Sequence, residues 1–346
     1  MKGLIIGLGV LLGIFLGLFP SIKNPKPLWW KVVVAVLLFS TIFLTFVPYV
    51  GSNFRTFKFV AQNITDFSGP LYFVPKSNEI VNSDGRTLLP IVSPQNPSIV
   101  DTLIIEKAEV PLEFKQSNRI IANVKYSREL DKFVYLNTVS INPLLVLPYV
   151  PQLGEQIRIM NFHVPCAWVS VVAYLFAMYF SICFLKNKRF EDDELAYSSA
   201  VLGTYFAILA TVTGMIWAKI NWGSFWNWDP RQTSIFVLLL IYFAYFVLRQ
   251  SLDNHEIKAR LSSVYSIVAF ITVPFLVFVM PRLLEGNHPG SANSPNAGPI
   301  LSTQGDTLNI LQSLGFSLGF ASLTALFFWF INLRIRIINL KNALRS

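Results

Sequence analysis

Charge is scarce in this chain. Only 14% of its 346 residues are Asp, Glu, Lys or Arg, against 53% that are hydrophobic. A soluble domain is about a quarter charged, so the shortage excludes an ordinary water-soluble globule and assigns most of the chain to a bilayer. Cysteine is nearly absent too. Cys166 and Cys183 share one apolar stretch without CxxC spacing, which removes disulfide scaffolds and thiol redox motifs. The net charge is +9, but the basic residues sit in short loops between apolar runs rather than in a patch. That distribution argues against nucleic acid and for topology signals.

Long apolar runs are abundant. Six, near residues 28–50, 164–185, 196–217, 231–249, 261–281 and 310–333, are long enough to cross a hydrocarbon core, which takes roughly 20 helical residues. A seventh, Leu4 to Phe19, is shorter and glycine-rich, and it also suits a signal-peptide core behind Lys2. Lys23, Lys26 and Lys31 follow it while only Lys2 precedes it, so the positive-inside rule reads it as a helix with its N-terminus outside. Parity then puts Lys186, Lys188, Arg189, Arg249, Lys258, Arg260, Arg334, Arg336, Lys341 and Arg345 on the cytoplasmic side. The external face receives residues 51–160, a tryptophan-rich run and residues 282–308. The expected fold class is an all-α polytopic membrane protein: six core helices, an extra N-terminal one and a small external β-rich insert. The domains divide as two N-terminal membrane helices (1–50), the insert (51–155) and a membrane domain (156–346).

Within the insert, Arg119 to Tyr126 puts Ile120, Ala122, Val124 and Tyr126 on one face, the period of a half-buried strand. Asp101 to Val110 is a second strand candidate, and Asp84-Gly85 suits a hairpin turn because both tolerate positive φ. No metal or catalytic spacing occurs there. A docking surface and a spacer both fit it.

Chemistry concentrates in W-G-S-F-W-N-W-D, residues 222–229. Trp222, Trp226 and Trp228 at a membrane surface form either an interfacial belt or an aromatic shelf for a flat ligand. Trp29, Trp30 and Trp329 fit the belt. Three tryptophans within seven residues exceed what anchoring requires. The histidines are three. His255, in D-N-H-E-I-K, reads as a solvated surface residue. His163, in N-F-H-V-P-C, and His288, in E-G-N-H-P-G, both lie on the external face at helix ends. Pro165 suits a helix first turn, which sets His163 just before the helix, where its dipole keeps the imidazole neutral and able to bind metal. Two neutral histidines, an indole shelf and basic residues at the rim (Arg158, Arg231, Arg282) match haem: two axial ligands, a covered disc and propionate partners. Without CxxC the haem is held non-covalently. Asp229-Pro230 is a helix-start signal, so Asp229 serves first as a cap, with a salt bridge to Arg231 or Arg158 second.

The tryptophan run resembles the WGxxWxWD signature of the CcmC/CcsA haem-handling family of cytochrome c maturation. Glu155 to Trp168, E-Q-I-R-I-M-N-F-H-V-P-C-A-W, resembles the segment preceding that signature in the CcmC branch. The likeness spans roughly residues 150–335. It implies haem b bound on the external face of the bacterial inner membrane through two axial histidines. His163 matches the first, Arg158 the arginine before it, and Trp222, Trp226, Trp228 and Asp229 the signature; His288 is assigned as the second by topology, with Arg231 alongside. The implied partners are a periplasmic haem chaperone (CcmE-like), an ABC-type ATPase and permease, a small CcmD-like membrane protein and membrane lipid. A carrier is expected rather than an enzyme. The alternative, a CcsA-type synthetase, calls for further histidines within membrane helices, and the predicted helices contain none.

Overall fold

The computed structural model describes residues 2–83, 85–106, 110–116, 118–149, 154–293 and 310–344. They form two compact units, Met1–Thr45 with Arg158–Ser346, and Phe46–Ile157. The chain starts with two apolar helices, α1 (Lys2–Leu18) and α2 (Leu28–Phe46). The link between them is built on Lys26. Its ammonium, expected to mark a basic loop, is buried. It donates to the carbonyls of Leu16, Gly17 and Phe19 at 3.4, 2.7 and 3.0 Å, satisfying acceptors that a helix end leaves open. Trp30 was expected as an interfacial anchor. It is instead 0% exposed, donates from Nε1 to Leu16 O at 2.7 Å and meets Trp329 edge-on at 5.4 Å. The cause is the same: the open carbonyls of α1 draw in the nearest donors.

The second unit is β-rich. It comprises β1 (Tyr49–Gly51), α3 (Phe54–Asn63), β2 (Ser68–Pro75), β3 (Val81–Ser83), β4 (Arg86–Val92), β5 (Val100–Ile105), α4 (Leu112–Gln116), β6 (Ile120–Ser127), β7 (Lys132–Ile141) and β8 (Val146–Pro148). The strand order is β2-β6-β7-β5-β4-β3, and β2 also pairs with β4, curling five strands into a barrel-like sheet. Strands β1 and β8 pair in parallel beside it. Ile120, Ala122 and Val124 of β6 point into the core, where Phe54 and Phe57 of α3 meet Phe73, Phe114 and Phe133. Alternation in β6 thus supplies one wall and the apolar face of α3 fills the interior. Strands β3 and β4 pair antiparallel around Gly85, whose φ is +74°; Asp84, the other half of the expected turn, lies outside the described residues.

The chain then continues as α5 (Met160–Asn187), α6 (Phe190–Trp222), α7 (Pro230–Gln250), α8 (His255–Pro274), a π-helical turn (Phe275–Val279), α9 (Met280–Leu283) and α10 (Ile310–Ala343). Among the described residues, six helical stretches are long and apolar enough to span a membrane: α2, α5, α6, α7, the continuous run α8–α9, and α10. The protein is a polytopic α-helical membrane protein. Helix α1 is shorter and runs parallel to α10. Gly9, Gly13 and Gly17 form its contact face: a Cβ there would lie 2.3 Å from Ser317 O, 2.8 Å from Thr324 Cβ and 2.1 Å from Phe328 Cδ2. Small residues are what lets helices approach so closely within lipid. At one end of the bundle, acidic residues opening α6 gather the basic residues that the sequence placed on one side. Arg249 grips Asp193 with two bonds of 2.6 and 2.8 Å, Arg189 pairs with Asp192 at 3.0 Å, and Arg334 reaches Glu194 at 3.5 Å. The tryptophan run lies at the opposite end of α6.

Candidate functional site

His163 lies inside α5, not before it. The 3-10 turn Gly154–Ile159 runs straight into the helix, so His163 falls in the first turn and Pro165 beyond it. Pro165 has no N–H to give the Asn161 carbonyl. Gly319 of α10 packs there, where a Cβ would sit 2.5 Å from Asn161 O and 3.0 Å from Pro165 Cγ. His163 Nδ1 donates to Ala210 O of α6 at 2.8 Å. A carbonyl oxygen only accepts, so the proton is on Nδ1 and Nε2 keeps its lone pair. Gly214 provides the room, since a Cβ would lie 2.8 Å from the ring's Cε1.

His288 repeats the pattern from a loop. Its Nδ1 donates to Pro289 O at 2.9 Å, again leaving Nε2 to ligate. The ring rests 5.8 Å from Trp217 and 6.4 Å from Trp222, both on α6. Ala210, Gly214 and Trp217 follow at helical spacing along one face of α6. The two imidazoles therefore abut the same helix, His163 at Ala210 and Gly214 and His288 at Trp217 and Trp222. His255, the third, is the exposed first residue of α8, with its ring edge-on to Phe190 at 5.6 Å. The expectation that helices would hold no histidine is thus corrected for His163 and His255.

The tryptophan run splits in two. Trp222 closes α6 and joins Trp217 edge-on at 5.0 Å beside His288. Trp226 and Trp228 pair at 5.7 Å and pack on Phe236 of α7. The break between them comes from Gly223, the left-handed C-cap of α6. Trp228 also holds a positive φ of 55°, a strained value for a bulky residue, and is 66% exposed. Gln232 braces the loop, accepting from Asn227 N at 2.8 Å and donating to Phe225 O at 3.1 Å. The single shelf expected from the sequence is therefore a histidine-facing pair and an outward-facing pair. Trp217, outside the W-G-S-F-W-N-W-D run, was not among the expected residues. Its signal was the density W-A-K-I-N-W, which extends the aromatic cluster one turn back into α6.

Asp229 is buried, 4% exposed, and caps α7, its Oδ1 accepting from Arg231 N at 3.0 Å. The expected salt bridge to Arg231 or Arg158 is replaced by backbone bonds: Oδ2 accepts from the N–H groups of Asn287 and His288 at 2.8 and 3.3 Å. The loop's proximity decides this, since two amides reach the oxygen first. Arg158 donates to Thr45 O at 3.0 Å. Arg231 and Arg282 lie within electrostatic reach of each other, and neither is ion-paired among the described residues. Burial first, then the Arg231 charge, pushes the His288 imidazole down to about 3, so it is neutral at physiological pH.

Haem fits these residues. Among the described residues, Arg231 Nε and Trp217 Nε1 are buried donors without a hydrogen-bond partner, and such groups cost free energy until an acceptor arrives. Carboxylates at a porphyrin edge would provide one. Among the described residues no cluster of three His, Cys, Asp or Glu could hold a bare metal ion.

The family model for heme exporter protein C matches residues 113–342. The chain belongs to this CcmC family. Among its relatives, a putative cytochrome c biosynthesis ccmC-like mitochondrial protein of Marchantia polymorpha is 31% identical over 186 residues, 53% of this chain and 75% of that protein. Heme exporter protein C of Bradyrhizobium diazoefficiens is 31% identical over 145 residues, 42% and 55% of the two chains. The Escherichia coli K12 protein of that name is 29% identical over 126 residues, 36% and 51%. Family membership joins the tryptophan loop, His163 and His288 in one matched region, while most of the β-rich unit lies outside it.

Proposed function

We propose that the protein carries haem b, bound non-covalently at the tryptophan end of the bundle, and delivers it for cytochrome c maturation. One observation carries the reading. Two imidazoles abut the same helix, α6, each with Nδ1 committed to a carbonyl and Nε2 left to ligate. This is the arrangement by which a second-shell acceptor fixes a ligand's tautomer. His163 and His288 supply the axial positions, Trp217 and Trp222 cover the disc beside His288, and Arg231 with Arg282 receives the propionates. Arg158, held to Thr45 O, sets the entry of α5. The exposed Trp228, with the half-buried Trp226 against it, borders the exit.

The haem is cargo, and no bond of it is altered. With the basic end of the bundle in the cytoplasm, the site faces the periplasm of a bacterial inner membrane. There a haem chaperone receives the haem, and an ABC-type ATPase and permease and a small membrane protein complete the assembly. The test is spectroscopic. Protein purified from haem-replete cells should show a Soret band with low-spin, six-coordinate character. His163→Ala and His288→Ala should each abolish that character. Wild-type protein without a Soret band would overturn the reading.

A further inference from the structure

We infer that Asp229 is the positioning residue for the second axial ligand: its carboxylate holds the His288 backbone and thereby fixes where Nε2 points. The inference rests on the haem-binding reading above. His288 has four polar atoms, and three are engaged. Its N–H donates to Asp229 Oδ2 at 3.3 Å. Its carbonyl accepts from Ser291 N and Oγ at 3.1 and 2.8 Å, and Nδ1–H meets Pro289 O at 2.9 Å. Only Nε2 is left for a ligand. Among the described residues, Asp229 is the one of these hydrogen-bonding anchors that lies outside the loop, so it ties the backbone of the ligand to the helical frame, while Trp217 and Trp222 pack against its ring.

The approach is close enough to demand glycine. At Gly286 a Cβ would lie 2.6 Å from Asp229 Oδ2 and 2.9 Å from Pro230 Cδ. Asn287 N–H adds a second bond to the same oxygen, at 2.8 Å. The other oxygen caps α7 through Arg231 N, and α7 begins where the tryptophan loop ends. One carboxylate therefore joins three structures: the tryptophan loop, the head of α7 and the His288 loop. A carboxylate is required because both oxygens must accept. Asparagine can keep the cap through its one oxygen, but its NH₂ would then face two N–H donors.

Two variants of the full-length protein test this. Asp229→Asn should keep the cap and release the loop. Gly286→Ala should keep the carboxylate and push the loop away from it. Both should convert the low-spin, six-coordinate spectrum to five-coordinate high-spin, and millimolar imidazole should restore the low-spin form by supplying the missing ligand. In haem-free protein, amide hydrogen exchange over residues 286–292 should accelerate at least tenfold in both. A residue that merely stabilised the fold would lower the thermal midpoint and haem content without rescue by imidazole, and that result would overturn the inference. So would a wild-type-like spectrum in either correctly folded variant. If Asp229→Asn fails to fold, Gly286→Ala decides alone. Failure of the haem reading is distinguishable, because wild-type protein itself would then show no Soret band.

Discussion

Where one proton sits decides what each imidazole can do. At His163 the proton is fixed on Nδ1 by Ala210 O, and Gly214 leaves the ring just enough space. Gly214→Ala should therefore tilt the ring off that carbonyl and weaken haem binding about 10–100-fold, the usual cost of disturbing a ligand's outer shell; titration of haem-free protein followed at the Soret band measures it. At His288 the sign of the pH dependence follows from a depressed value, about 3 against an ordinary 6.5. The folded protein refuses a proton that the unfolded chain accepts. Stability is thus fully present above about 6.5 and declines as pH falls from there toward 3. The thermal midpoint of haem-free protein should drop across that window, and His288→Gln should flatten the slope. An unchanged slope in the variant would remove His288 as the source.

Among elements, α6 does the most. Its first turn binds the basic residues of α7 and α10, and its last turns carry both histidine contacts. Asp193 is 3% exposed on its side chain and its partner Arg249 12%, so neither charge has water to fall back on. Asp193→Ala should cost about 3–5 kcal/mol by leaving the guanidinium uncompensated, read as a fall in thermal midpoint in detergent. Pairing it with Arg249→Leu should recover most of the loss. The sequence made the six long helices legible because apolar length is a strong signal, and β6 because Ile120, Ala122 and Val124 alternate along it, although Ile121 between them is buried as well. The α5 start was misjudged because Pro165 reads as a helix opener, whereas Gly319 of a distant helix makes room for it inside. Trp30 and Lys26 misled for a related reason: burial beside the end of α1 depends on a partner that no local pattern reveals. Likewise nothing local says that Asp229 faces residues 287 and 288, some 58 positions away, or that the tryptophan run would divide at Gly223.

For the whole molecule, orientation is the testable quantity. Single cysteines at Asp253 and at Glu285 should react with a membrane-impermeant maleimide from opposite sides: Glu285→Cys from the periplasm in intact cells, Asp253→Cys only after permeabilisation. The reverse pattern would turn the site to the cytoplasm. The glycine face of α1 has a consequence for how such a molecule is made. Its partner residues, Ser317 to Phe328, leave the ribosome roughly 300 residues later, which at 5–20 residues per second is about 15–60 s. During that interval the most closely fitted surface of the first helix has only lipid, or some temporary companion, against it. Biogenesis of this protein is therefore a waiting problem, in which the opening helix must be kept in place until the closing one is translated.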